Sequence, residues 1–118
     1  IDLLNRVRQP FNVNNLALAG AIAALDDHEF LARSYESNRG GMEQIVAGLK
    51  RLGLSHIPSH GNFVTFEVAD TAAVNGKLLK QGVIVRPIGG YGMPNHLRVT
   101  IGLETENARF LEALETSL

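Results

Sequence analysis

Two arginines stand where the chain is otherwise apolar or β-branched: Arg86 closes Val83-Ile84-Val85-Arg86, and Arg98 sits within Leu97-Arg98-Val99-Thr100-Ile101. A guanidinium among such neighbours must find a partner or reach solvent. Its planar fork suits two-pronged binding of a carboxylate or a phosphate, so the chemistry these residues suggest is the grip of a small anion. The same spacing also fits two arginines on an exposed sheet face, and the spacing alone does not choose.

The other reactive residue types offer less. The histidines are His28, His56, His60 and His96, and none stands at an H-E-x-x-H spacing, so they read as solvated loop residues, not metal ligands. There are no cysteines, hence neither disulfides nor thiolate chemistry. The serines lie in neither G-x-S-x-G nor S-x-x-K. Gly89-Gly90-Tyr91-Gly92 has the look of a phosphate loop, but such a loop leads from a strand into a helix, whose N–H groups bind the anion. Here it joins two strand-like stretches and reads as a flexible connector. Lys50, Lys77 and Lys80 lie on polar helix faces or near helix ends, without the small residues and glycines expected around a desolvated, nucleophilic lysine.

The elements that would carry the arginines follow from periodicity. Phe63 to Val68 alternates, with Val64, Phe66 and Val68 on one face and Thr65 and Glu67 on the other. Leu97, Val99 and Ile101 alternate in the same way and leave Arg98 opposite. Three strands are expected near 63–68, 83–86 and 97–101, the second stopping at Pro87. Helices are expected over 71–81, with Val74, Leu78 and Leu79 apolar, and from Glu104 to about 116, with Phe110, Leu111 and Leu114 apolar.

Before the strands, residues 1–8 read as the tail of an amphipathic element broken at Arg8-Gln9-Pro10-Phe11-Asn12. Residues 14–25 form a small-residue helix that can pack closely on several sides. A long helix then runs from an Asp26 or Asp27 cap, through Gly40-Gly41, which allow a kink, to a stop at Gly53. The order is α-α-β-α-β-β-α: an α+β fold with a three-stranded, mainly antiparallel sheet covered by helices on one face, plus N-terminal helices.

Bulk properties set the outer bounds. The chain has 118 residues, 45% hydrophobic and 19% charged, with a net charge of −1. That is enough for one core and gives no electrostatic reason to expect nucleic acid or a membrane as partner. No apolar run approaches the roughly 20 residues of a membrane span. The chain opens on Ile1 instead of methionine, which suggests a trimmed chain or a piece of a longer one.

Five segments, in this order and at these intervals, carry a family resemblance: Arg8-Gln9-Pro10-Phe11-Asn12-Val13-Asn14; Gly61-Asn62-Phe63; Gly82-Val83-Ile84-Val85-Arg86-Pro87; Leu97-Arg98-Val99-Thr100-Ile101-Gly102; and Glu106-Asn107-x-x-Phe110-Leu111-x-Ala113-Leu114. Together they resemble the C-terminal third of histidinol-phosphate aminotransferases, and the resemblance covers essentially the whole chain. It implies the small C-terminal domain of a fold-type I enzyme that uses pyridoxal 5'-phosphate. Residues 1–26 would be the end of the large-domain region and a connecting helix, and 27–118 the small domain.

The implied activity, in histidine biosynthesis, moves an amino group between glutamate and imidazole-acetol phosphate, in a cytoplasmic homodimer. The implied partners are the upstream cofactor-binding domain of the same protein, a second copy and a small-molecule substrate. In that family the cofactor's lysine, the aspartate at its pyridinium nitrogen and the phosphate cup precede this stretch. The resemblance therefore implies no catalytic or cofactor-binding residue here and an inactive fragment. Arg98 resembles the arginine that grips the substrate carboxylate or phosphate, Arg86 a second anion-binding arginine that helps with the phosphate, and Asn62 a family asparagine near that arginine. Two alternatives stay open: a related aminotransferase or decarboxylase acting on another phosphorylated or aromatic amino acid, and a stand-alone α+β module that binds an anion.

Overall fold

Two helices of the first third begin where a side chain accepts a free backbone N–H. In the computed structural model, which describes residues 1–8 and 11–118, Asn14 Oδ1 accepts from Ala17 N at 2.8 Å and starts α2 (Asn15–Asp26). Asp27 Oδ1 accepts from Phe30 N at 2.9 Å and starts α3 (His28–Arg51), so of the two aspartates it is Asp27 that caps. A short α1 covers Asp2–Val7. The expected break after it falls on Gln9 and Pro10, outside the described residues.

The chain divides into two units, residues 1–33 and 34–118. In the first, neither α1 nor α2 buries a residue, and Leu3, Leu4, Val7, Leu16, Ile22 and Leu25 are all exposed.

The second unit holds the core. Gly40-Gly41, where a kink was allowed, lies inside one continuous 24-residue helix. Gly41 serves close approach instead: a β-carbon there would lie 2.5 Å from Ile101 Cγ2 and 2.8 Å from Asn107 Nδ2. The helix ends as expected at Gly53, with φ of 70°. Gly53 N donates to Lys50 O and Leu54 N to Leu49 O, the paired bonds of a Schellman stop.

Among the described residues the sheet has four strands, one more than expected: β1 (His56–Ile57), β2 (Phe63–Glu67), β3 (Arg86–Pro87) and β4 (His96–Thr100). Their order is β1-β2-β4-β3, and every pair is antiparallel. The two-residue β1 is too short to leave a periodic trace in sequence.

The strand expected over 83–86 is corrected to Arg86–Pro87. α4 (Thr71–Lys80), capped by Asp70, ends at Gly82 with φ of 75° in a second Schellman stop, where Val83 N donates to Leu78 O at 2.9 Å. Val83 is thus committed to the helix end, and pairing starts only at Arg86. Pro87, expected to stop the strand, is paired within it, which an edge strand tolerates. Leu79, expected on the apolar face of α4, is half exposed.

Val64, Phe66, Leu97 and Val99 face one core with Ile45 and Leu49 of α3, Val74 and Leu78 of α4, and Phe110, Leu111 and Leu114 of α5 (Glu104–Glu115). Phe66 and Phe110 meet edge to face at 5.8 Å. Asn107, 2% exposed, clamps the turn into α5: its Oδ1 accepts from Gly102 N at 2.9 Å and its Nδ2 donates to Gly102 O at 3.1 Å.

Candidate functional site

Alternation in β2 and β4 sends the apolar residues into the core and leaves a second row on the opposite face of the sheet. Directly paired residues share a face, so the pairings Phe63 with Thr100, Thr65 with Arg98, Glu67 with His96 and Arg86 with Arg98 place these side chains together on it. The helices that contribute to the core approach the other side.

Arg86 and Arg98 are opposite one another across the β3–β4 pair. Side chains so paired leave β-carbons roughly 4.5–5.5 Å apart, and like charges in that relation repel. Among the described residues neither guanidinium forms a salt bridge or a hydrogen bond. The carboxylate on this face, Glu67, accepts instead from Ser55 Oγ at 2.9 Å. Two adjacent cations without a protein counter-charge can attract an anion, and the two-pronged geometry of each suits carboxylate or phosphate.

The two arginines differ in setting. Arg86 is exposed on the edge strand, whereas Arg98 is partly buried on the strand between β2 and β3, with its Cζ 4.8 Å from the centre of the Phe63 ring. Sequence periodicity did not single out Phe63. The available signal was an aromatic residue on the polar side of an alternating strand. Asn62 is less tightly associated with the pair. Its carbonyl accepts from Ile101 N at 2.8 Å, continuing the β2–β4 ladder by one step, and that step puts it in the alternate row from Arg98. Its side chain makes no hydrogen bond among the described residues, so the structure brings Arg86 and Arg98 together and leaves Asn62 at the end of the sheet.

The glycine-rich segment joins β3 to β4, as expected of a connector, with a single 3₁₀ turn at Gly89–Tyr91 and Gly92 at φ of 77°. Because Val83 is diverted to the helix stop and pairing starts only at Arg86, the edge of β4 past Arg98 has no strand beside it among the described residues. A groove of about 450 Å³ opens there, among Gly82–Ile84, Val99–Gly102 and α5.

The family model for class I and II aminotransferases matches residues 1–114. Histidinol-phosphate aminotransferase 1 of Dechloromonas aromatica (strain RCB) is 78% identical over 117 residues, covering 99% of this chain and 32% of that protein. The histidinol-phosphate aminotransferase of Methylobacillus flagellatus is 64% identical over 117 residues, with the same coverage of 99% and 32%. The crystal structure of histidinol-phosphate aminotransferase from Sinorhizobium meliloti, in complex with pyridoxal-5'-phosphate, superposes with a TM-score of 0.82 at 23% identity, over 98% of this chain and 33% of that one; this is a likeness of fold. The chain spans about a third of the length of the relatives it matches. The motif resemblance is met both by sequence and by fold, and the chain belongs to the class I and II aminotransferase family.

Proposed function

We propose that this chain supplies the substrate-anion side of a transaminase that exchanges an amino group between glutamate and imidazole-acetol phosphate in histidine biosynthesis. The observation that carries this reading is the Arg86–Arg98 pair on the sheet face opposite the core, two guanidiniums side by side without an acidic partner among the described residues. Arg98 would hold the α-carboxylate of glutamate or the phosphate of the other substrate. Arg86, exposed at the edge, would add its charge to the phosphate, and Asn62 would act at the margin. Holding the substrate by its anionic end fixes where the amino-bearing carbon lies, which lowers the entropic part of the barrier.

Pyridoxal phosphate, when bound, supplies the electron sink of transamination. The residues of this chain do not fit its attachment. Lys50, Lys77 and Lys80 are all exposed, and the Lys77 ammonium donates to Ser117 O at 3.0 Å. None is desolvated as a covalent anchor would be. In this reading the cofactor belongs to an upstream domain, residues 1–26 lead from that domain, residues 27–118 form the small domain, and the intact enzyme is a cytoplasmic homodimer. The fragment by itself is inactive.

The test is transamination by the full-length protein, with 2-oxoglutarate as acceptor and either histidinol phosphate or an aromatic amino acid as donor. A kcat/KM for histidinol phosphate well above that for phenylalanine or tyrosine is expected. A preference for the aromatic donors would move the assignment to a related aminotransferase.

A further inference from the structure

We infer that Phe63 is a positioning residue for Arg98, fixing the plane in which its guanidinium meets the substrate anion. The inference rests on the reading of Arg98 as an anion-binding arginine. Phe63 pairs with Thr100, so it sits diagonally from Arg98 on the same face, within reach of a long side chain. The guanidinium carbon is 4.8 Å from the ring centre, well inside the range at which a cation is attracted to an aromatic face. A long, mobile side chain on an open sheet would otherwise sample many rotamers, each with a different aim. The ring restricts that sampling and occupies one side of the guanidinium while leaving its N–H groups free to donate.

The segment beside the ring is tethered. Gly61 is close enough to it that a β-carbon at residue 61 would be 3.4 Å from Phe63 Cε1. The Gly61 carbonyl accepts from Asn38 Nδ2 of α3 at 3.2 Å, which ties this loop to the long helix. α3 is thus tied through the Gly61 backbone to the segment that carries Phe63, and Phe63 to Arg98. Tyrosine preserves the last link, and an aliphatic residue breaks it.

In the full-length enzyme, Phe63→Leu should raise KM for both glutamate and histidinol phosphate about two- to fivefold, with kcat within about twofold of the parent. Phe63→Tyr should restore the parent values. Replacing Phe63 with a trifluorinated phenylalanine keeps the shape but weakens the negative ring face, and it should raise KM in the same direction; this variant decides the matter if Phe63→Leu fails to fold. In an Arg98→Ala background, Phe63→Leu should add nothing, because its only route to the substrate is gone. Parent-like KM values for both the leucine and the fluorinated variants, in a protein whose Arg98→Ala variant is impaired, would overturn the role of Phe63 and leave the site standing. An effect of Phe63→Leu that persists undiminished without Arg98 would also overturn it. Normal kinetics for Arg98→Ala itself would remove the site and this inference together.

Discussion

Truncation of Arg98 separates the anion-site reading from a merely structural one, because its expected effects on folding and on kinetics differ in size. In the free protein, Arg98→Ala loses the contact with Phe63, about 0.5–1 kcal/mol for an exposed cation–π pair. It also relieves the repulsion from Arg86 directly across the strand pair, a term of about 0.2–1 kcal/mol of opposite sign. The two nearly cancel, so the variant should fold with stability within about 1 kcal/mol of the parent. Toward substrate nothing cancels. A charge-assisted contact is worth about 1.5–3 kcal/mol, so kcat/KM should fall about tenfold to 150-fold. On the proposed reading both half-reactions should suffer, since the glutamate carboxylate and the substrate phosphate would share the group. Lysine should rescue poorly, because a point charge does not reproduce a planar fork. Steady-state kinetics of the purified full-length variant, beside its urea denaturation curve, measures both quantities. A folded Arg98→Ala enzyme with near-normal kcat/KM for both substrates would refute the reasoning.

Arg86→Ala should impair the phosphorylated substrate more than glutamate, a ratio read from kcat/KM for each, because Arg86 lies exposed at the edge beside Arg98. The isolated chain, incubated with pyridoxal phosphate, reduced with borohydride and weighed by mass spectrometry, should show no stoichiometric cofactor adduct, since its three lysines are solvent-exposed. Gly40→Ala should stabilise the chain by up to about 1 kcal/mol through helix propensity, nothing being within 4 Å of the new β-carbon. Gly41→Ala should destabilise it by about 1–3 kcal/mol by forcing Ile101 and Asn107 apart; chemical denaturation of both variants checks the contrast. Asn107→Ala should cost about 2 kcal/mol or more, because the backbone N–H and C=O of Gly102 both lose their partner, and urea unfolding reads it directly.

The fold was legible where one physical signal dominated. Alternation placed β2 and β4 to within a residue, because Val64, Phe66, Leu97 and Val99 are all driven into one core. A glycine at the helix end marked the stop at Gly53, which adopts a positive φ that other residues avoid; Gly82 ends α4 in the same way and was not read as a stop. Legibility failed where two signals competed. Val83-Ile84-Val85 has strong strand character, yet the stop at Gly82 needs the Val83 N–H three residues beyond the end of α4, and the hydrogen-bond requirement outweighed β-propensity. Gly40-Gly41 failed for another reason: a glycine pair signals both flexibility and close packing, and only the opposing Ile101 and Asn107 show that packing is the purpose of Gly41.

The site was legible in its residue types and not in its geometry. Arg86 and Arg98 stood out as cations in apolar stretches, but twelve residues of sequence do not say whether two arginines face each other. That depends on register, and shifting the β3–β4 pairing by one residue would turn Arg86 to the core side and leave Arg98 alone. The register is held from several directions: Pro87 pairs with Leu97, Ile88 N donates to His96 O at 3.2 Å, and the 3₁₀ turn with Gly92 at positive φ sets the length of the connection. The glycine-rich connector, set aside as a phosphate loop, would therefore still serve the proposed anion site at one remove. It helps fix the pairing that brings two like charges together on one face of the sheet, an arrangement that repels itself and that an anion would relieve.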